Sequence, residues 1–374
     1  MATRPIAELI ADRFIGHHVN LLRLAAGERR RVLIMLGQLQ RELEAKIAAA
    51  DIDDAGTFQH RRLTALFAIV TDLTDKYYGK ISTTHREHLV QVAELSSDQT
   101  RAVTNAVVGV PLLTVGAPIQ VLRALADDTI VQGRPAKEWW AQQDNNLRGR
   151  FQQTMRQGVF AGETLGQLLR RVRGTRERQF KDGIFSMSTR EASALIRTSV
   201  QSIANAARYE TLQANDDVLA GHQVFATLDG RTCPICIARD GFAWDFEGRP
   251  LNAETKDNFP GPPPWHFNDR CVLSPVLKSW EQLARDAKGD EKLAKKLDRL
   301  EARLPKGKKA AMNGEVASDM TYSDWLARRT DAEQREILGP GKWRLWKEGK
   351  IGLTDLVDQS GRPLTVQELR ASVA

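Results

Sequence analysis

Four side chains that favour soft metal ions fall within one short span of this chain: Cys233, Cys236, His266 and Cys271. Cys233-Pro-Ile-Cys236 is a C-x2-C pair, a spacing that lets two thiolates reach one ion without straining the backbone. His266 and Cys271 complete the nitrogen and sulfur set that zinc takes as a tetrahedron, and residues 239–265 between them are rich in turns that can fold back. Four protein donors leave no open position, so the expected ion is a structural Zn2+ and the site is not catalytic. The chain holds three cysteines, an odd number, and reads without a secretion signal, which argues against a disulfide scaffold. A dithiol redox site would want the pair to open a helix after a strand within a βαβ pattern, and no such pattern is read around it.

The elements that must position these residues read as mainly helical. Val32, Leu36, Leu39, Leu43 and Ile47 recur at helical spacing, with Arg41, Glu42, Glu44 and Lys46 mostly off their face. A second helical pattern covers 61–81, and "STTHREHLVQV" follows it, with Ser82 or Thr83 as a cap. Pro and Gly punctuate 106–119, ahead of a short helix around "IQVLRALADD"; Gly162 and Thr164 mark a turn and a cap. Residues 188–215 form the clearest helix, capped by Ser188 or Thr189, with a small-residue apolar face from Ala192 to Ala207. A strand is expected around Val224 to Thr227, then a turn at Asp229-Gly230. Asp229 and Arg231 are expected to pair locally or brace the turn, and Asp240-Gly241 is another turn. Trp244, Phe246 and Trp265 are expected to pack around the ion. A charged helical run reaches about residue 303, "PKGKKAAMNGEVASD" reads as a flexible linker, and the tail is anchored by Trp325, Leu338, Trp343, Trp346, Ile351, Leu353 and Leu356. Four regions result: a helical N-terminal region 1–105, a helical basic region 106–220, a small α+β zinc-stabilised module 221–280, and a linker with helical C-terminal tail 281–374.

Formal net charge is +7, which hints at an acidic partner. Between residues 150 and 181, eight basic residues face two acidic ones; Arg170, Arg171, Arg173, Arg176 and Arg178 could neutralise phosphates or form a solvated helix end. The most apolar stretch, 106–119, is too short for a bilayer and broken by Gly109, Pro111, Gly116 and Pro118, so no membrane segment is expected.

"ATLDGRTCPICIARDG" followed by "PPPWHFNDRCVLSPV" resembles the head morphogenesis, or minor head protein, family of tailed phages, the Mu F-like group. Its pattern, D-x-R-T-C-x-x-C-x-x-x-D-G and then P-P-x-H and a cysteine, maps onto Asp229, Arg231, Thr232, Cys233, Cys236, Asp240, Gly241, Pro263, Pro264, His266 and Cys271. The likeness spans about 130–280 and 320–370. Many members read H-x-x-C; here position 269 is Asp and the cysteine falls at 271, so the fourth ligand is Cys271 or Asp269. Cys271 is favoured, because thiolate suits zinc and Arg270 could hold Asp269. The resemblance implies a non-enzymatic virion component assembled in the host cytoplasm and lodged inside the head near the portal. It implies portal and capsid or scaffold proteins as partners, with sequence-independent contact to packaged DNA through the basic region. The rival from another class is a metal-dependent HNH-like nuclease, suggested by "WHFND". It would need a general-base histidine and an open metal position, and only His222 and His266 lie nearby. A DNA-reading zinc finger would need a helix after the ligands, which Pro275 spoils.

Overall fold

A computed structural model describes residues 5–50, 57–279, 282–283, 308–311, 314–317, 320–358 and 362–373. The described chain is mainly helical with a small sheet region. It divides into two compact units: one comprises Met1–Leu21, Ala93–Leu122 and Gln201–Ala374, the other Leu22–Val92 and Arg123–Val200.

Helices α1 (Pro5–Ala49) and α2 (Thr57–Val108) supply part of each unit. Val32, Leu36, Leu39, Leu43 and Ile47 are all buried, as their spacing predicts. Ser82 and Thr83 do not cap a new helix, because α2 runs through them. Thr83 bonds its hydroxyl back to the Gly79 carbonyl at 3.1 Å, which satisfies it within an unbroken helix. Helices α3 (Ile119–Asp128), α4 (Ala136–Phe160) and α5 (Leu165–Arg173) follow, with a two-residue ribbon of β1 (Ile130–Val131) and β2 (Arg134–Pro135) before α4. The expected turn and cap hold: Gly162 has φ +69°, and Gln167 reaches back to the Thr164 N–H at 2.7 Å. Trp140, Leu147, Phe151 and Met155 of α4 are buried in the second unit together with Leu66, Val70 and Ile81 of α2. Each such side chain contributes about 1.5–3 kcal/mol on burial.

Helix α6 (Ile184–Gln213) begins earlier than expected, so Ser188 and Thr189 lie inside it. Its C-terminal half belongs to the first unit, where Ile203, Ala204 and Ala207 are buried. There a three-stranded antiparallel sheet has the order β4 (Ala243–Trp244), β3 (Leu219–Phe225), β5 (Val272–Leu277). Pro275 fits because β5 is an edge strand. The short helix α7 (Pro234–Ala238) leaves the β3 side.

The charged run to about residue 303 lies outside the described residues apart from 282–283. The stretch expected as a linker instead pairs with itself, β6 (Lys308–Ala311) against β7 (Gly314–Ala317). The tail forms α8 (Tyr322–Ala327), α9 (Asp331–Leu338), α10 (Pro340–Lys347) and α11 (Val366–Ser372). Capping boxes Thr321/Asp324, Thr330/Glu333 and Thr365/Glu368 start three of them. Trp325, Leu338, Ile351, Leu353 and Leu356 are buried and cluster with Leu228 and Ile237, while Trp343 and Trp346 pack partly buried against them. The tail is therefore seated on the segment that carries the C-x2-C.

Candidate metal centre

Strand β3 ends at Phe225, and a tight turn delivers Cys233 to the N-cap of α7. Asp229 builds that turn by accepting from the Arg231 N–H at 2.9 Å and the Thr232 hydroxyl at 3.2 Å. Its ion pair is with Arg270, at 2.5 and 2.8 Å, and not with Arg231. Arg270 therefore does not hold Asp269, contrary to expectation. Asp240 accepts from the Ala226 N–H and from the Tyr322 N–H, each at 2.7 Å. It ties the turn to the tail, and Gly241 beside it has φ +86°, a conformation glycine adopts without strain.

Cys233, Cys236 and His266 converge. Cys233 Sγ lies 3.5 Å from Cys236 Sγ and 2.8 Å from His266 Nε2, and Cys236 Sγ lies 3.3 Å from that nitrogen. These three donors form one group within 4.8 Å; Cys236, Asp269 and Cys271 form a second, and Cys236 is common to both. His266 Nδ1 donates to the Phe267 carbonyl at 2.9 Å, so Nε2 is the atom turned to the sulfurs. Asp269 is buried, and each of its oxygens already accepts a backbone N–H: Cys271 at 2.7 Å and Trp265 at 2.8 Å. That closes the loop bearing His266 and Cys271.

Two residues of α6 hold the same loop from behind. Gln201 Nε2 donates to the Cys271 carbonyl at 2.7 Å, and Asn205 Nδ2 donates to the carbonyls of Cys271 and Pro263 at 2.9 and 3.0 Å. Both are buried. In the sequence they are marked only as two amides at i and i+4 within an alanine-rich apolar face. Trp244 and Trp265 pack around the cysteines as expected. Phe246 joins a different cluster, with Leu113, Leu212 and Leu219.

The electrostatics are those of a thiolate beside an imidazolium. Hydrogen bonding with Cys236 brings the Cys233 thiol down to about 5 despite its burial, and His266 adds to the shift. Contact with the Cys233 sulfur lifts His266 to about 9. Burial pushes Cys271 up to about 12, and Cys236, between the Cys233 and Cys271 sulfurs, is raised as well. A cavity of about 20 Å³ touches all four of Cys233, Cys236, His266 and Cys271, enough for a body the size of one water. Soft sulfur with one imidazole nitrogen suits zinc, so the donors fit the expected ion in type, with Cys236 linking Cys271 to the Cys233–His266 pair. The C-x2-C follows the expected strand and opens a short helix, but the sheet is antiparallel and lacks the βαβ setting of a dithiol redox pair.

His222, the other nearby histidine, is enclosed. Rings of Phe259, Tyr209, Trp244 and Phe246 surround it at centroid distances of 4.2, 5.2, 6.0 and 6.0 Å. Its ring nitrogens meet no hydrogen-bond partner among the described residues. Burial pushes it down from 6.5 to about 4. Above its unfolded value it is neutral in both states; below, the unfolded chain takes a proton that the native state refuses. Stability is therefore lost as pH falls from about 6.5 through about 4. His222→Phe is expected to flatten that loss. In urea unfolding it should match the wild type at neutral pH and exceed it by about 1–3 kcal/mol at mildly acid pH. Parallel pH profiles for the two proteins would count against this environment.

Half of the basic stretch is engaged internally. Arg171 pairs with Glu163, Arg173 with Glu44 and Arg150 with Glu191, and Arg156 lies over the Phe67 ring. Arg170, Arg176, Arg178 and Lys181 are exposed. Among the described residues no helix is long and apolar enough to cross a membrane.

Residues 149–274 match the family model of phage Mu protein F like protein. The match takes in the C-x2-C, His266, Cys271, Gln201 and Asn205, about a third of the chain; the tail, which also carried the resemblance, lies beyond it. No curated protein and no solved structure matches the chain.

Proposed function

Taking as premise that residues 149–274 belong to the phage Mu F-like head morphogenesis family, we propose that the protein is a minor head component of a tailed phage or prophage. It acts inside the head near the portal, through binding and assembly and not through chemistry. Cys233, Cys236, His266 and Cys271 hold a structural Zn2+. The observation that carries the reading is that the family match encloses the four donors and the α6 amides that clamp their loop.

Zinc here supplies folding energy to a segment that has little else. Between β4 and β5 the chain has almost no regular structure, and an ion joining α7 to the 266–271 loop closes it without a disulfide, which the reducing host cytosol would not preserve. Asp269 accepts the Trp265 and Cys271 N–H groups and also meets Cys236 Sγ at 3.4 Å; Cys271 is favoured as the fourth donor because thiolate suits zinc. A nuclease would need an accessible base. His222 is buried among rings, and His266 faces sulfur. The segment after Cys271 is strand β5, which does not favour a finger that reads bases with a following helix. The exposed Arg170, Arg176, Arg178 and Lys181 are left to meet packaged DNA, independently of sequence.

The test offers the tagged full-length protein to portal protein, to capsid and scaffold proteins, and to random-sequence duplex, with metal content measured on the same preparation. Capture by the portal is expected, and the wild type is expected to carry one zinc per chain more than Cys236→Ser protein prepared alongside it. Failure to bind any head component, or nicking of supercoiled plasmid with magnesium or manganese, would overturn the assembly reading.

A further inference from the structure

Away from the cysteines, three ligand-type side chains meet inside the second unit. Glu28 of α1 and His85 and His88 of α2 bring their donor atoms within 4.8 Å of one another. His85 and His88 share a face because residues three apart are neighbours on a helix. Glu28 is 0% exposed, His85 1% and His88 6%. His85 Nδ1 is 3.7 Å from Glu28 Oε1, and His88 Nδ1 is 4.0 Å from Oε2, both beyond hydrogen-bond reach. Neither Nδ1 and neither carboxylate oxygen has a hydrogen-bond partner among the described residues. Arg31 approaches Oε2 at 2.9 Å from an exposed position one turn along α1.

Ser199 of α6 decides which His85 nitrogen carries the proton. Its Oγ lies 2.8 Å from the Leu195 carbonyl and 3.2 Å from that of Ile196, so its own proton is committed to those acceptors. It must then accept from His85 Nε2, 2.8 Å away. A neutral His85 protonated on Nε2 aims the lone pair of Nδ1 at a buried carboxylate that Arg31 meets from the Oε2 side alone, an arrangement that suits a cation between the imidazoles and Glu28. A proton on Nδ1 would draw the pair to about 2.7–2.9 Å, the length of a charge-assisted hydrogen bond. The observed gaps of 3.7 and 4.0 Å are wider. They suit an ion with bonds of about 2.0–2.2 Å to nitrogen and to oxygen.

We propose that Glu28, His85 and His88 form a second metal site, for a divalent first-row transition ion, joining α1 to α2. Two imidazoles and a carboxylate suit zinc, iron(II) or manganese, and lack the thiolates of the first centre. The Ser199 hydroxyl and the edge of Trp140, 5.6 Å from the His85 ring centroid, hold that ring in place, the outer support that metal-bound histidines ordinarily have. His85 also lines a cavity of about 200 Å³ with Arg86, Ala126, Asp127 and Trp140, which offers an ion a way in. The site does not depend on the cysteine centre and is tested apart from it.

Full-length Cys236→Ser protein, unable to use the cysteine centre, is dialysed against Zn2+ or Co2+ and its metal counted. It is expected to keep a single ion per chain, and the cobalt form to absorb without sulfur-to-cobalt charge transfer. Adding Glu28→Gln should abolish that ion while far-UV circular dichroism stays unchanged. If that variant does not fold, His88→Gln reads the same loss. Cys236→Ser protein that binds no ion, or a bound ion indifferent to both Glu28→Gln and His88→Gln, would overturn the proposal and leave a carboxylate neutralised by a protonated imidazole.

Discussion

Cys236→Ser is expected to lose the metal of the cysteine centre and to open residues 221–280 to protease. Cys236 is the one donor common to both groups of ligand atoms, and it is 3% exposed. Its replacement therefore removes a donor from both groups at once and leaves only the Cys233–His266 pair to join α7 to the 266–271 loop. Structural zinc is worth about 10–16 kcal/mol in small zinc-finger peptides. Here part of the module is also held by packing of Val224, Phe242, Trp244 and Leu273. The greatest loss should therefore fall on the irregular segment between β4 and β5, and the sheet should persist longer. A chelator should reproduce the digestion pattern in the wild type. Two further substitutions separate the fourth ligand from its neighbour: Cys271→Ala should lose the ion, while Asp269→Asn should retain it and melt earlier, because the Trp265 and Cys271 N–H groups lose a charged acceptor. An unaltered digest and unaltered metal content for Cys236→Ser would remove the support for a structural ion.

Gly221→Ala should be among the most damaging single changes outside the cysteine cluster. At φ +155° this glycine sits at the irregularity in β3 pairing. A Cβ there would fall 2.0 Å from the Trp244 carbonyl oxygen, 2.8 Å from Leu251 Cδ1 and 2.9 Å from Asp245 Cα. Two of the three atoms are backbone, so no rotamer relieves the clash and β4 must move away from β3. Its neighbour His222 pairs with Trp244 across those strands, so the aromatic cluster around His222 would open with them. A loss of about 3–5 kcal/mol is expected, which corresponds to a fall in melting temperature of roughly 6–20 °C for a unit of this size. Near-UV circular dichroism should report the loosened tryptophans first. A denaturation midpoint equal to the wild type would mean the strands are not so close.

Much of this was legible beforehand because it depends on spacing alone. The apolar face of α1 follows from 3.6-residue periodicity, and Val32 through Ile47 are buried accordingly. The tail anchors were readable as large apolar residues in an otherwise polar stretch. Caps were less legible. Thr164 acts as one because the chain turns at Gly162, whereas Ser82, Thr83, Ser188 and Thr189 have the right side chains but no break before them. A capping side chain stabilises a helix start; it does not create one.

The chain by itself determined the donor types and their grouping: two thiols a helical turn apart, and an imidazole and a third thiol on one loop. That is a matter of covalent order. Folding alone decided what each neighbour does. Arg270 goes to Asp229, Asp269 turns to the backbone of its own loop, and Gln201 and Asn205 arrive from more than fifty residues away to grip the Cys271 and Pro263 carbonyls. Glu28 meets His85 and His88 only because α1 and α2 pack together. Contacts between residues far apart in the chain are selected by burial, which forces each polar group to find whatever partner the packing supplies. No local pattern of residue types records that choice.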